Sequence, residues 1–456
     1  AYVPVLSDYK NNSEGKDVKE FINASITYLS IILLVISIIG VAITPILIYF
    51  IAPGFVYAES EQYELSYNLL RITFPYMFFI CLTAVSSSIL NCYEKFSIPA
   101  FTPAILNIIL ILSVLFFSES FSEPVYALAW GLIFAGIVQL IFVLYPLIKM
   151  GLFPKINFNK NHPGIKKIKE LMIPVIFGSS VTQVNLIFDT IIASFLITGS
   201  ISWLYMSDRF IELPLALFGI SIATVLLPKL SEYYNKKDYK SYNTTINWGL
   251  KLGILISIPT CIGLVLLSEP ILITLLQYRE FSANDVSMTS LSLIAFAFGL
   301  PGMIGAKILI TNYYSRKDTS YPVRAAVIAV ITNFVMNIVF VIYLTSIKFE
   351  GVHVGLALAT SASAYINFFL LFKNAIKTKI LIIDKSIIQI LAKTILASII
   401  MSLFVLYFDL NADSWVNLEL LDRVSKLLMI ISLAVIMYFI LLYVLKISPK
   451  KIKFEL

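Results

Sequence analysis

One feature limits this chain more than any other: apolar runs of eighteen residues or more recur along its whole length. Helical residues rise 1.5 Å each, so such a run covers the hydrocarbon core of a bilayer, which is about 30 Å thick. Composition agrees where it matters, since 59% of the residues are hydrophobic and 13% charged, against about 25% charged in soluble globular domains. The expected fold class is an all-α polytopic membrane protein.

Twelve spans are predicted, near 21–51, 68–92, 101–118, 125–148, 172–196, 201–227, 246–268, 286–312, 322–345, 351–376, 386–408 and 425–446. The loops between them alternate in charge. One set is basic, with Lys10, Lys16 and Lys19, then Lys95, then Lys149, Lys155, Lys160, Lys166, Lys167 and Lys169. It continues through Lys236, Lys237 and Lys240, Arg316 and Lys317, Lys373, Lys377, Lys379 and Lys385, and the tail Lys446, Lys450, Lys451 and Lys453. The other set is acidic or neutral, carrying Glu59, Glu61, Glu64, Glu119, Glu123, Asp409, Asp413 and Glu419, with only Arg279 and Lys348 as interruptions. The positive-inside rule then places both ends of the chain in the cytoplasm. The net charge of +7 is therefore topological, and no nucleic-acid partner is expected. The basic stretch 157–170 reads equally as an amphipathic segment on the inner leaflet or as a solvated connector.

Cys81, Cys92 and Cys261 have no spacing that suggests a disulfide framework or a metal site. His162 and His353 stand outside any ligand cluster, and no nucleophile triad or phosphate loop is found. The chain begins at Ala1 with no signal peptide before its first run, and it is expected to be trimmed at the start.

A parallel internal repeat is expected. Ile89-Leu90-Asn91-Cys92-Tyr93 matches Ile310-Thr311-Asn312-Tyr313-Tyr314, and Ala127-Leu128-Ala129-Trp130-Gly131 echoes Leu356-Ala357-Leu358-Ala359-Thr360 in the same order. Transporters built from such repeats place the substrate between them. The expected division is an incomplete N-terminal lobe at 1–148 with four of six helices, and a basic connector at 149–171. A six-helix C-terminal lobe at 172–380 and a terminal helix pair with a basic tail at 381–456 complete it.

Charge inside the membrane costs about 2.5 kcal/mol or more, so ions kept there usually face a cavity. The sixth span holds Asp208, Arg209 and Glu212, followed by Pro214, which should kink the helix. Asp208 and Glu212 are four apart and share a face. Arg209 either neutralises these neighbours or faces water and forks an anionic head group, the geometry in which a guanidinium exceeds an ammonium. Lys251 and Lys307 either snorkel or line the same basic cavity. Arg71 and Lys393 are expected to be interfacial anchors. Asp189, with Thr182, Gln183 and Asn185 near it, and Asn333 and Asn337 on the ninth span offer oxygen ligands for a monovalent cation. Plain interhelical hydrogen bonding is the other reading.

Two long stretches resemble the MurJ (MviN) family of lipid II flippases. The first runs from Arg71-Ile72-Thr73-Phe74-Pro75-Tyr76 through Ile89-Leu90-Asn91 and Phe96-Ser97-Ile98-Pro99-Ala100-Phe101 to Leu106-Asn107. The second runs from Ala193-Ser194-Phe195-Leu196 through Tyr205, Asp208-Arg209 and Glu212-Leu213-Pro214 to Ala223-Thr224-Val225-Leu226-Leu227-Pro228. Tyr314, Asp318-Thr319 and Pro322 echo a third motif, and Tyr2-Val3-Pro4-Val5-Leu6 resembles the end of the family's second helix. The resemblance implies a two-lobed helix bundle of the multidrug/oligosaccharidyl-lipid/polysaccharide exporter type. The family has fourteen helices, of which twelve are visible here, and its terminal pair forms a groove for the lipid tail.

The same resemblance implies transport of lipid II, the undecaprenyl-diphosphate-MurNAc-pentapeptide-GlcNAc precursor of peptidoglycan, across the bacterial inner membrane by alternating access, with no catalysis. It makes Arg209, Asp208 and Glu212 head-group residues and matches Asp189 and Asn333 to positions proposed to hold sodium. No cofactor is implied beyond coupling to a sodium ion or a proton and to the membrane potential. Cell-wall synthesis proteins are candidate partners. The family's first helix and the start of its second, with further cavity arginines, have no counterpart in this sequence. The rival reading within the superfamily is an O-antigen lipid flippase or a multidrug exporter, and a membrane glycosyltransferase is the rival outside it.

Overall fold

A computed structural model describes residues 2–12, 15–57, 61–159, 162–378 and 381–447, without side chains at 174, 175 and 177–182. Glu59, Lys160, Lys379, Lys450, Lys451, Lys453 and the Thr182 side chain, named above, lie outside the described residues. Among those described there are nineteen α-helices and no strand. They are α1 (Tyr2–Asn12), α2 (Gly15–Ala42), α3 (Thr44–Ile51), α4 (Pro53–Tyr57), α5 (Glu61–Thr73), α6 (Tyr76–Cys92), α7 (Ser97–Phe117), α8 (Val125–Lys149) and α9 (Pro163–Ser194). Then come α10 (Ser200–Pro214), α11 (Ser221–Asn235), α12 (Tyr239–Leu266), α13 (Ser268–Leu275), α14 (Ala283–Tyr314), α15 (Ser320–Ser346), α16 (Val354–Lys377), α17 (Ser386–Val405), α18 (Ala412–Val416) and α19 (Leu420–Val444).

Eleven helical stretches among the described residues are long and apolar enough to cross a membrane. The remaining expected span, 172–196, falls in α9, where part of the side chains lies outside the description. Several predicted spans differ in bounds or continuity. The run expected at 21–51 breaks at Ile43, because Pro45 lacks the N–H that a continuous helix needs and suits the first turn of a new one. The span expected at 68–92 begins at Glu61, whose carboxylate, with that of Glu64, complements the positive end of α5, and it is interrupted at Pro75. The expected kink at Pro214 takes the form of a six-residue π-helical segment, Leu215–Ile220, which joins α10 to α11.

The chain divides into two compact units, Ala1–Ser180 and Val181–Leu456. In the first, Val5, Leu6, Phe21, Ile22, Ile89, Leu90, Val143 and Leu147 form the fully buried centre. In the second, the core is built along α14, where Leu293, Ala297, Leu300, Ile304 and Ile308 are buried. Small residues bring α16 close to it: a Cβ on Gly299 would lie 2.8 Å from the Ser361 Cα. Such close approach is how helices bind where lipid offers no hydrophobic drive.

Part of the helical pattern recurs along the chain. α2, the break at Ile43 and α3 recur 224 positions later as α12, a break at Leu267 and α13, with equal helix lengths. The two break residues have nearly identical backbone angles, φ −98° and ψ 11° against φ −102° and ψ 13°. The segments that leave the fourth long helix of each set are also held alike. After α8, the Lys155 amide donates to Asn23 Oδ1 (2.8 Å) and that of Asn157 to Thr27 Oγ1 (3.0 Å), both on α2. After α16, the Ile382 amide donates to Asn243 Oδ1 (2.8 Å) and that of Asp384 to Asn247 Oδ1 (3.0 Å), both on α12.

Candidate functional site

Within the second unit, α10 is fixed against α14 before its charged residues begin. Trp203 Nε1 donates to Asp285 Oδ1 (2.8 Å), and Ser207 Oγ donates to the Thr289 carbonyl (2.8 Å). Asp285 also closes the capping box that starts α14 with Ser282. His353 lies in the same cluster, fully buried, with Nε2 3.0 Å from the Met288 carbonyl.

One turn along, Arg209 is exposed. Its Nη1 donates to Glu212 Oε2 at 2.9 Å and its Nη2 to the Tyr205 hydroxyl at 2.6 Å, and the guanidinium carbon stands 4.7 Å from the Tyr205 ring centre. Two of a guanidinium's five N–H donors are engaged in this way. The shared face expected for Asp208 and Glu212 divides in two. Glu212 pairs with Arg209, whereas Asp208 is half-buried and lines a cavity that Tyr205 also lines.

That cavity, about 190 Å³, is walled by Asn185, Asp189, Thr190, Tyr205, Asp208 and Thr360 among others. The fold brings the three predicted ion residues together beside it. Asn337 Nδ2 donates to Asp189 Oδ1 (2.6 Å) and to Asn333 Oδ1 (3.0 Å), Asn333 Nδ2 donates to Thr360 Oγ1 (3.1 Å), and Asn185 Nδ2 donates to Asp189 Oδ2 (3.2 Å). Asn337 is fully buried, and its Oδ1 has no hydrogen-bond partner. A buried acceptor without a donor is costly unless something positive satisfies it. Thr360 was not singled out for this site from the sequence, because a hydroxyl on a small-residue helix carries no pattern until α16 is folded beside α15.

The two lysines part company. Lys251 Nζ lies 2.5 Å from Asp384 Oδ2, where its charge is committed to the segment leaving α16 rather than offered to a cavity. Its ammonium, with the Ser386 hydroxyl and amide, holds the Asp384 carboxyl well below the usual carboxylate range. Lys307 is exposed on α14. Arg71 packs over the Tyr67 ring (5.5 Å). Lys393, expected at an interface, donates to the Leu445 carbonyl (2.6 Å) and so caps the negative end of α19.

An apolar groove of about 740 Å³ lies between α12 and α19; of the terminal pair expected to form it, only α19 contributes lining residues. Its walls include Leu252 and Ile256 of α12 and Val435, Phe439 and Tyr443 of α19. The Tyr438 hydroxyl ties these walls together by donating to the Leu255 carbonyl (2.7 Å).

The family model described as "Lipid II flippase MurJ" matches residues 1–426. The chain belongs to the MurJ family. Among MurJ proteins, it is 36% identical to "Probable lipid II flippase MurJ" of Vibrio cholerae over 99% of this chain and 86% of that protein. It is 33% identical to "Lipid II flippase MurJ" of Burkholderia cenocepacia over 97% and 86%. A solved structure titled "Lipid II flippase MurJ, inward closed conformation" superposes with a TM-score of 0.77 at 27% identity, covering 96% of this chain and 88% of that one. An inward-facing multidrug transporter of the MOP superfamily also superposes, with a TM-score of 0.66 over 83% and 86% of the two chains, but at 15% identity it shows the shared fold alone. MurJ membership thus fixes a multi-pass transporter, and the superfamily rival is not favoured.

Proposed function

We propose that this chain is a lipid II flippase, carrying the undecaprenyl-diphosphate-linked precursor from the cytoplasmic to the outer leaflet of the inner membrane by alternating access, with both described ends on the cytoplasmic side. The observation that carries the reading is the apolar groove between α12 and α19 in the same unit as an exposed, stacked arginine. A carrier of a polar head group on a long polyprenyl tail needs both, because the tail stays in an apolar medium while the head crosses. Arg209 holds the diphosphate through its fork, and Glu212 keeps the guanidinium positioned when no substrate is bound. Lys307 sits about 18 residues further along α14 than Thr289, the residue that pairs with Ser207 beside Arg209, and is left out of this contact. An inside-negative potential favours outward movement of each negative charge by about 2.3 kcal/mol per 100 mV.

Sodium is the coupling ion in this reading, held by Asp189 and Asn337 with Asn333 and Thr360 behind them. The unpartnered Oδ1 of Asn337 and the carboxylate of Asp189 are the hard oxygen donors such an ion takes. Bound there, it would supply positive charge entering as negative charge leaves.

Complementation in cells depleted of their own lipid II flippase tests the proposal. The full-length gene is expected to restore growth, Arg209→Ala to abolish the rescue and Arg209→Lys to restore only part of it. Failure of a well-inserted wild-type protein to rescue would point to another lipid-linked substrate.

A further inference from the structure

The cavity beside Asp189 and the guanidinium of Arg209 share a wall. Tyr205 lines the cavity, while its hydroxyl accepts from Arg209 at 2.6 Å and its ring lies beneath the guanidinium. Asp208, in the same wall, precedes Arg209 in the chain. Asp189 receives hydrogen bonds from two asparagines. Among the described residues, none is found to the Asp208 carboxylate, although the residue is half-buried.

A cation in this cavity and an anionic head group on Arg209 would attract each other directly, because unlike charges a few residues apart are only partly screened in such surroundings. Direct electrostatics therefore favours loading both together. Exchange of one for the other requires that filling one site spoil the geometry of the other. The contacts that join the two places run through Tyr205 and Asp208.

We propose that Tyr205 and Asp208 are positioning residues through which cation binding at Asp189 withdraws Arg209 from the head group. The proposal rests on the assignments of Arg209 and Asp189 made above. A cation entering the cavity attracts the second, unpartnered carboxylate, and Asp208 turns further inward. The wall of α10 carrying Tyr205 follows, and the hydroxyl that holds Arg209 Nη2 draws the guanidinium back along its stacking ring. Two contacts that serve one site in the absence of substrate thus become the connection between two. Coupling between sites of this kind typically spans about 5–150-fold in affinity, and it is reciprocal.

The test is lipid II affinity of the purified full-length protein in sodium chloride against choline chloride, reported as a ratio within each variant. In the wild type, sodium is expected to weaken lipid II binding at least fivefold. Tyr205→Phe keeps the ring and removes the hydroxyl, so the weakening should vanish or reverse to a slight strengthening as the direct attraction is left alone. Asp208→Asn should behave in the same way while sodium still raises the melting temperature through Asp189. A wild type whose lipid II affinity ignores sodium or rises with it overturns the proposal, as does Tyr205→Phe with the full weakening intact. Two controls separate this from failure of the underlying reading. Undiminished lipid II binding by Arg209→Ala would remove the head-group assignment, and undiminished sodium stabilisation of Asp189→Asn would remove the ion assignment.

Discussion

Replacing Gly299 by alanine is expected to loosen the second unit, and the size of the effect can be worked from its geometry. The added methyl carbon would stand 2.5 Å from Ser361 Oγ, 2.8 Å from its Cα and 2.9 Å from its Cβ. Non-bonded carbons settle at about 3.5–4.0 Å, so α14 and α16 would have to part locally by about 1 Å. A hydroxyl can rotate away, but a backbone carbon cannot. Overpacking of this kind costs about 1–3 kcal/mol, and it also disturbs the Ser361 hydroxyl, which donates to the Ala295 carbonyl at 2.7 Å. Alanine returns about 0.5–1 kcal/mol through its better helix propensity. The net loss is about 0–2.5 kcal/mol, centred on about 1, a fall of a few degrees in melting temperature.

Gly263 provides the control, since nothing lies within 4 Å of a Cβ placed there; Gly263→Ala should gain what propensity gives. Thermal unfolding in detergent, followed by tryptophan fluorescence, separates the two. Gly299→Ala melting at or above wild type would refute the packing argument. Because Ser361 adjoins Thr360 in the wall of the cavity beside Asp189, any stabilisation by the proposed sodium should also weaken in Gly299→Ala and persist in Gly263→Ala.

Two further outcomes are expected. The Asp384 carboxyl is held below its unfolded value by Lys251, so its pairing adds stability above about pH 4 and loses it as pH falls toward the depressed value. With Asp384 about half exposed, the contribution stays below about 1 kcal/mol. Asp384→Asn should melt lower than wild type at pH 7, with the gap closing in acid, and a gap independent of pH would contradict the pairing. Ile256→Trp, which puts an indole into the tail groove, should slow transport of the undecaprenyl-linked substrate several-fold more than that of a short-chain analogue; equal slowing of both would remove the groove from the mechanism.

Much of this was legible in the residues alone. The spans could be read because bilayer thickness sets a length that apolar runs either reach or miss. Arg209, Asp189, Asn333 and Asn337 stood out because polar groups are expensive in such runs. What escaped was set by tertiary position. Nothing near Lys251 in the chain announces Asp384, which lies 133 residues away. Asp208 and Glu212 share a helical face by spacing, yet neighbouring helices half-bury one and leave the other exposed. The break at Ile43 was signalled by Pro45 but hidden by the uninterrupted hydrophobicity around it.

The asparagines that hold the two departing segments also bear on how the chain came to be. Asn23 and Asn247 occupy corresponding places on α2 and α12, and each accepts from the backbone of chain that has just left its set of helices. A duplicated ancestor explains this only if the copied piece extended past its last helix and already folded that tail back on itself. Each copy then inherited a tied-off end. In the second copy that end leads into α17 and α19. The helices that follow it thus start from an anchored segment, so they can pack against α12 without the rest of the bundle having to hold them.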